Sequence, residues 1–180
     1  MAVVNVKSNS VIGLDASPIV AQAAGEGGPA DTKCNDGVFS GSNAPPAAAS
    51  IGSTFQFVRV PSNCKIKKIW IESAAQGAGT MNVGLTYATD GSVLSTTPPT
   101  VVGAGGATLF ASAYALTAAS QPTDISNQSG NFTADKRQLP LWKAAGLTAD
   151  PGGYFDITGT LAVAITTGTG TMGLTVVYTD

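Results

Sequence analysis

From Thr54 to the C-terminus, apolar residues recur at every second position in short segments, each stopping at a cluster of Gly, Pro, Asn or Asp. A period of two belongs to a pleated strand with one buried face, whereas a helix needs 3.6. The pattern therefore predicts an all-β chain. Phe55, Phe57 and Arg59 alternate with Gln56, Val58 and Val60 up to Pro61, which has no amide to give to a ladder. In the next run Lys67, Ile69 and Ile71 share one side, and Ile66, Lys68, Trp70 and Glu72 the other. Met81, Val83, Leu85 and Tyr87 make one apolar face, closed by the tight-turn pair Asp90-Gly91. Near the end Phe155, Ile157, Leu161, Val163 and Ile165 share one parity, as do Met172, Leu174, Val176 and Tyr178. These two runs read as a hairpin with one buried face. Residues 108–119 fit a short strand or a short helix. Residues 136–147, with Pro140 near the start and Gly146 at the end, predict one short helix. Together these elements predict an antiparallel β-sandwich or jelly roll over residues 51–180.

Residues 1–50 read differently. Their apolar pieces, at 3–6 and 11–14, are separated by Ala/Gly/Pro-rich stretches with no sustained period. So long a segment without structure of its own is uncommon inside a compact domain, so the reading is an extended N-terminal arm, either a loose terminus or one that docks on a partner.

Composition excludes several function classes. Charged residues are only 11% of the chain, against roughly 25% in ordinary domains. Nine basic and eleven acidic residues leave a net charge of -2, the wrong sign for displacing counterions from phosphates, so no nucleic-acid partner is expected. There is no His, which removes every His-dependent triad and the commonest metal ligand. Cys34 and Cys64 are too few for a thiolate zinc site, and stay reduced by default in a cytosol. No basic n-region precedes an apolar h-region, and no run approaches the 18 or so apolar residues of a span. The expectation is a soluble product made in the cytosol, with no membrane partner, metal or cofactor.

Motifs that might carry chemistry have plainer readings. Ser62-Asn63-Cys64-Lys65 matches the S-x-x-K of serine acylases but follows Pro61 and begins a strand, so a hairpin turn is the better reading. Gly103-Ala104-Gly105-Gly106 leads into no GK[ST] and reads as a flexible loop. Asp31, Asn35, Asp36 and Gly37 have the wrong spacing for a calcium loop. Asp150 with Asp156, or Glu72 with Asp90, would serve glycoside hydrolysis only if they converge. No catalytic residue is assigned, and the chain is not read as an enzyme. The sequons at Asn127 and Asn131 mark a polar loop. Trp70 and Trp142 raise the question of sugar stacking. Trp142 lies among Leu139, Leu141 and Leu147, and Trp70 sits in an apolar strand, so both read as core. Lys65, Lys67 and Lys68 form the one basic cluster. It reads first as a solvated edge that discourages aggregation and second as a contact for an acidic protein surface.

Three stretches carry a family resemblance. Phe57-Val58-Arg59-Val60-Pro61, with Ile69-Trp70-Ile71 and Met81-Asn82-Val83-Gly84-Leu85, resembles the opening of the small head proteins of tailed bacteriophages. Leu109-Phe110-Ala111-Ser112 is the second stretch. The third runs from Leu139-Pro140-Leu141-Trp142 through Gly146-Leu147 and Asp150-Pro151-Gly152-Gly153 to Tyr154-Phe155-Asp156-Ile157, and is similar to the middle and end of the same decoration, or cement, proteins. The resemblance covers residues 52–180. It implies a jelly-roll-like domain, a homotrimer, seated on the outer capsid surface of a virion where several major capsid protein subunits meet. The arm would then dock on the shell, with Val3, Val4, Val6, Val11, Ile12 and Leu14 as apolar anchors adding strands to an exposed edge. The competing expectation is a head or tail fibre module that binds a host-surface glycan.

Overall fold

The computed structural model describes residues 5–7, 32–40, 44–46, 48–88, 98–167 and 170–179. Among them run nine strands: β1 (Asn5–Lys7), β2 (Thr32–Phe39), β3 (Thr54–Pro61), β4 (Lys65–Ser73), β5 (Thr80–Tyr87), β6 (Ala111–Ala115), β7 (Ser120–Asp124), β8 (Tyr154–Val163) and β9 (Met172–Thr179). One sheet has the order β2-β9-β4-β7, the other β1-β3-β8-β5-β6. Every pairing is antiparallel except β1 on β3, which is parallel. From β2 onward only β5 and β6 are consecutive within one sheet. At every other step the chain crosses between sheets, the path of a jelly roll.

That path corrects two local readings. β8 and β9 are not a hairpin, since they lie in opposite sheets. Each presents one apolar face, and such a face packs equally well across a core or beside a neighbour, so periodicity does not choose the partner. The turn at Ser62-Asn63 is likewise a corner that carries the chain from β3 into the other sheet, with the Cys64 amide donating to the Pro61 carbonyl.

Bulges set the core. β3 has an extra residue at Phe57, between Gln56 opposite Thr158 and Val58 opposite Ile157. β4 has one at Lys67, between Ile66 and Lys68. An extra residue flips the parity beyond it. Phe55, Val58 and Val60 thus face the core together, as do Ile66, Ile69 and Ile71, and all are buried. In β8 a register shift opposite Thr80 and Met81 turns Val163 outward, 47% exposed, although it shares a parity with Leu161. Phe39 of β2 closes the sandwich by meeting Phe55 and Phe57 edge-on, with centroids 5.6 and 4.9 Å apart.

β2 also corrects the reading of residues 1–50 as an arm throughout. It pairs with β9 along all of Thr32–Phe39, and Phe39 and Ala49 belong to the core. Its residues on the inward side run Lys33, Asn35, Gly37, Phe39, so only one large apolar side chain marks the strand. Within residues 108–119 the strand forms, as β6, preceded by a 3-10 turn at Gly106–Thr108. The short helix forms as α1 (Leu141–Ala144), after Pro140 and before Gly146 at φ +89°. Its first amides brace the β3–β4 corner, Leu141 donating to the Cys64 carbonyl at 2.8 Å and Trp142 to that of Ser62 at 3.0 Å. Trp142 is half-buried against the core.

Two glycines allow backbone to lie on backbone. A Cβ at Gly37 would stand 2.0 Å from the Phe57 carbonyl oxygen, and one at Gly84 would stand 1.8 Å from that of Gly106. The second contact seats the 3-10 turn on β5. Gly84→Ala is therefore expected to cost roughly 1–3 kcal/mol of stability by overpacking, read as a lower urea midpoint with an unchanged slope. An unmoved midpoint would mean the turn lifts off freely. Deleting residues 1–50 removes β2 and is expected to abolish cooperative unfolding. A truncated chain that still melts in one sharp step would show β2 to be dispensable.

Candidate interaction surfaces

Outward from the core, the five-stranded sheet carries a polar layer. Arg59 and Asp156 are cross-strand partners, and their side chains are 6% and 0% exposed. The Arg59 Nε donates to Asp156 Oδ1 at 2.7 Å and a second guanidinium nitrogen to Oδ2 at 3.0 Å, while Gln56 Nε2 donates to Oδ2 at 2.8 Å. Thr158 donates its hydroxyl to the Asp156 carbonyl and accepts from Thr86 at 2.7 Å. A buried carboxylate persists only when paired and hydrogen-bonded in this way. Asp156 is thereby committed to structure. Asn5 and Lys7 of β1 are buried at the edge of the same layer, and the Thr54 hydroxyl donates to the Asn5 carboxamide oxygen.

The four-stranded sheet turns the basic cluster outward. Lys65 and Lys67 are half-buried and Lys68 is exposed. Lys68 Nζ stands 5.2 Å from the centroid of Trp70, so Trp70 is not core: it lies half-buried on the outer face, with a cation over its ring. The bulge at Lys67 is the reason, because it sends Ile69 and Ile71 inward and Trp70 out. Asp124 stands opposite Trp70 on β7. Burial pushes its carboxyl up, but hydrogen bonds from the Ser126 hydroxyl (2.6 Å) and amide (2.9 Å), with the charges of Lys68 and Arg137, hold it below the ordinary value. Arg137 escaped the sequence reading. The 3-10 turn Lys136–Gln138 brings it beside β4, with its Nε buried and without a hydrogen-bond partner. β7 escaped too, since Ser-Gln-Pro-Thr-Asp has no apolar alternation. Its Pro122 is acceptable because the strand is an edge.

Of the expected arm anchors, Val3, Val4, Val11, Ile12 and Leu14 lie outside the described residues, and Val6 falls in β1, level with Phe55. Ser62 gives its hydroxyl to Asp150 at 2.7 Å, and Asp150 also accepts from the Gly152 amide. Asp150 and Asp156 therefore have separate partners. Asp90 and Asp31 lie outside the described residues, and Asn35, Asp36 and Gly37 belong to β2. Asn127 ties its own loop by accepting from the Phe132 amide, and Asn131 joins that loop to the 3-10 turn by donating to the Thr108 carbonyl. Cys34 is exposed and Cys64 buried, and no disulfide joins them. Burial and the charge of Asp36 push the Cys34 thiol up, toward the unreactive form.

A cleft of about 260 Å³ opens between the 104–109 loop, Asn131, Lys136 and the end of α1. It falls short of the roughly 300 Å³ at which small-molecule sites begin. No group of three His, Cys, Asp or Glu able to hold a metal occurs among the described residues, and no helix there is long and apolar enough to cross a membrane. The exposed apolar side chains Tyr154 and Val101 lie near one end of the five-stranded sheet, beside Ala88 and Thr86 respectively.

No family model matches the chain, and no curated protein does. Among solved structures, a chain from the capsid of Ralstonia phage GP4 shares the fold at a TM-score of 0.54 and 16% identity, over 98% of this chain and 97% of that one. A chain of the cyanophage Pam1 capsid asymmetric unit is similar at 0.47 and 17%, over 91% and 95%.

Arg59→Met leaves Asp156 buried without its cation and is expected to cost roughly 3–5 kcal/mol, more than Arg59→Met with Asp156→Leu together. Chemical denaturation of the single and double variants checks the order, and a double variant weaker than the single would refute it. Asp124 titrates below its ordinary value of 3.8 in the folded chain, so its contribution is present above that value and lost as pH falls through the folded pKa. The stability gap between the wild type and Asp124→Asn is expected to be flat near neutrality and to close in acid. A gap that widens in acid would reverse the sign.

Proposed function

We propose that this chain is a structural protein of a phage virion, without enzymatic activity. In this reading it decorates the outer surface of an icosahedral capsid, as a homotrimer, and stabilises the shell by bridging major capsid protein subunits. The observation that carries the reading is the jelly roll shared end to end with a chain of a phage capsid, at nearly equal length. The surface fits the role. Few charges need desolvating when it packs against protein, and the carboxylates Asp150 and Asp156 are engaged in structural hydrogen bonds. Attachment would combine the apolar residues Val3, Val4, Val11, Ile12 and Leu14 with an acidic shell surface facing Lys65, Lys67 and Lys68. Three linked copies turn weak contacts into tight binding, because each further site engages at an effective concentration in the roughly millimolar range. A ligand that binds the assembled shell better than its parts stabilises the shell.

A second reading, a fibre module for a host glycan, rests on Trp70, an aromatic on the open face of a sheet. The two readings part in one experiment. Light scattering of the chain alone, then co-sedimentation with undecorated particles, is expected to give a trimer that saturates particles at a fixed, high ratio. Reversing Lys65, Lys67 and Lys68 to Glu should weaken that binding at least about tenfold, or 1.4 kcal/mol. A monomer indifferent to particles would overturn the decoration reading, and retention on a glycan array lost in Trp70→Ala would replace it.

A further inference from the structure

The strand β1 is an addition to the eight-stranded jelly roll. It is parallel in an otherwise antiparallel fold, and spans only Asn5–Lys7 at the open side of β3. Its seat is nonetheless specific. Asn5, Val6 and Lys7 stand level with Thr54, Phe55 and Gln56, the Thr54 hydroxyl donates to Asn5, and Asn5 and Lys7 are both buried. The seat needs a strand of this sequence. Nothing in these contacts requires that strand to come from the same chain.

We propose that β1 is exchanged between copies: Asn5–Lys7 of one chain occupies the β3 edge of its neighbour, so that each seat is completed by a partner copy. The proposal rests on the multi-copy reading above. Residues 8–31 join β1 to β2, 24 in all. Within one chain the join must pass from the level of Gln56 to that of Thr32, which the pairings of β9 place level with Lys65. That is five residues up β3, or roughly 17 Å, and one sheet spacing of about 10 Å, so under about 30 Å in all. Fully extended, 24 residues reach roughly 80 Å. A chain of this size has a radius of gyration of about 16 Å, so the same edge on a touching neighbour lies roughly 40 Å away. The join is far longer than one copy needs and long enough for two. Since exchange makes the same hydrogen bonds and buries the same side chains, it costs little beyond linker entropy, and in an oligomer it ties the copies together.

Asn5→Cys with Thr54→Cys, in the full chain carrying Cys34→Ser, puts a thiol on each side of one register pair while the buried Cys64 stays out of reach. After oxidation, non-reducing denaturing electrophoresis is expected to show covalent species of two or more chains. A crosslink confined to single chains overturns the exchange. Should the double cysteine variant fail to fold, deletion of residues 1–7 decides. Exchange predicts that the truncated chain keeps its circular dichroism spectrum and falls to monomer mass in light scattering, whereas an unchanged oligomer mass overturns it. If the full chain is itself a monomer, the multi-copy reading falls together with the exchange. If it is an oligomer crosslinked only within chains, the exchange alone falls.

Discussion

Phe57 is the extra residue of β3, and its position settles three neighbouring features at once. By flipping parity it lets Phe55 and Val58 enter the core together and sends Arg59 out to meet Asp156. Its ring packs edge-on against Phe39, while its carbonyl stands so close to Gly37 that β2 has no room there for a side chain. A bulge leaves a residue outside the ladder and bends its strand. Here the displaced residue becomes the joint between the two sheets on the β2 side.

The outer face of the five-stranded sheet follows from the same shift. Once Arg59 is directed away from the core, its burial is supported by Asp156, which is itself held by a hydrogen bond from Gln56. Such a pair contributes little net stability compared with an apolar substitute, but it penalises any register that separates its members. Because Asp156 lies in β8 between β3 and β5, the pair and the Thr86–Thr158 hydrogen bond pin all three strands together. The β1 seat, beside Thr54 and Gln56, is the margin of that pinned layer.

The proposed role places the demands elsewhere. A shell-binding protein needs a well-packed domain and a surface for its partner, and these occupy different parts of the chain. The well-packed part is the inter-sheet core, with α1 bracing the β3–β4 corner through the Ser62 and Cys64 carbonyls. The basic cluster lies on the opposite sheet from the β1 seat, so the proposed adhesion and exchange would not compete for the same side chains.

Alternation and turn chemistry alone determined the class of fold, the approximate course of β3, β4, β5, β8 and β9, and the short helix between Pro140 and Gly146, because these depend on local periodicity and backbone preference. Lys65, Lys67 and Lys68 were legible as a cluster for the same reason: they are neighbours in the chain. Tertiary structure decided the rest. β2 and β7 carry too few apolar residues to announce themselves and are strands because β9 and β4 pair with them. β8 and β9 lie in opposite sheets because an apolar face does not choose its partner, while the outward turn of Trp70 and Val163 and the meeting of Arg59 with Asp156 depend on single-residue register shifts. A bulge adds one residue without changing composition or local hydrophobicity, so only the partner strand, distant in sequence, fixes where the parity changes.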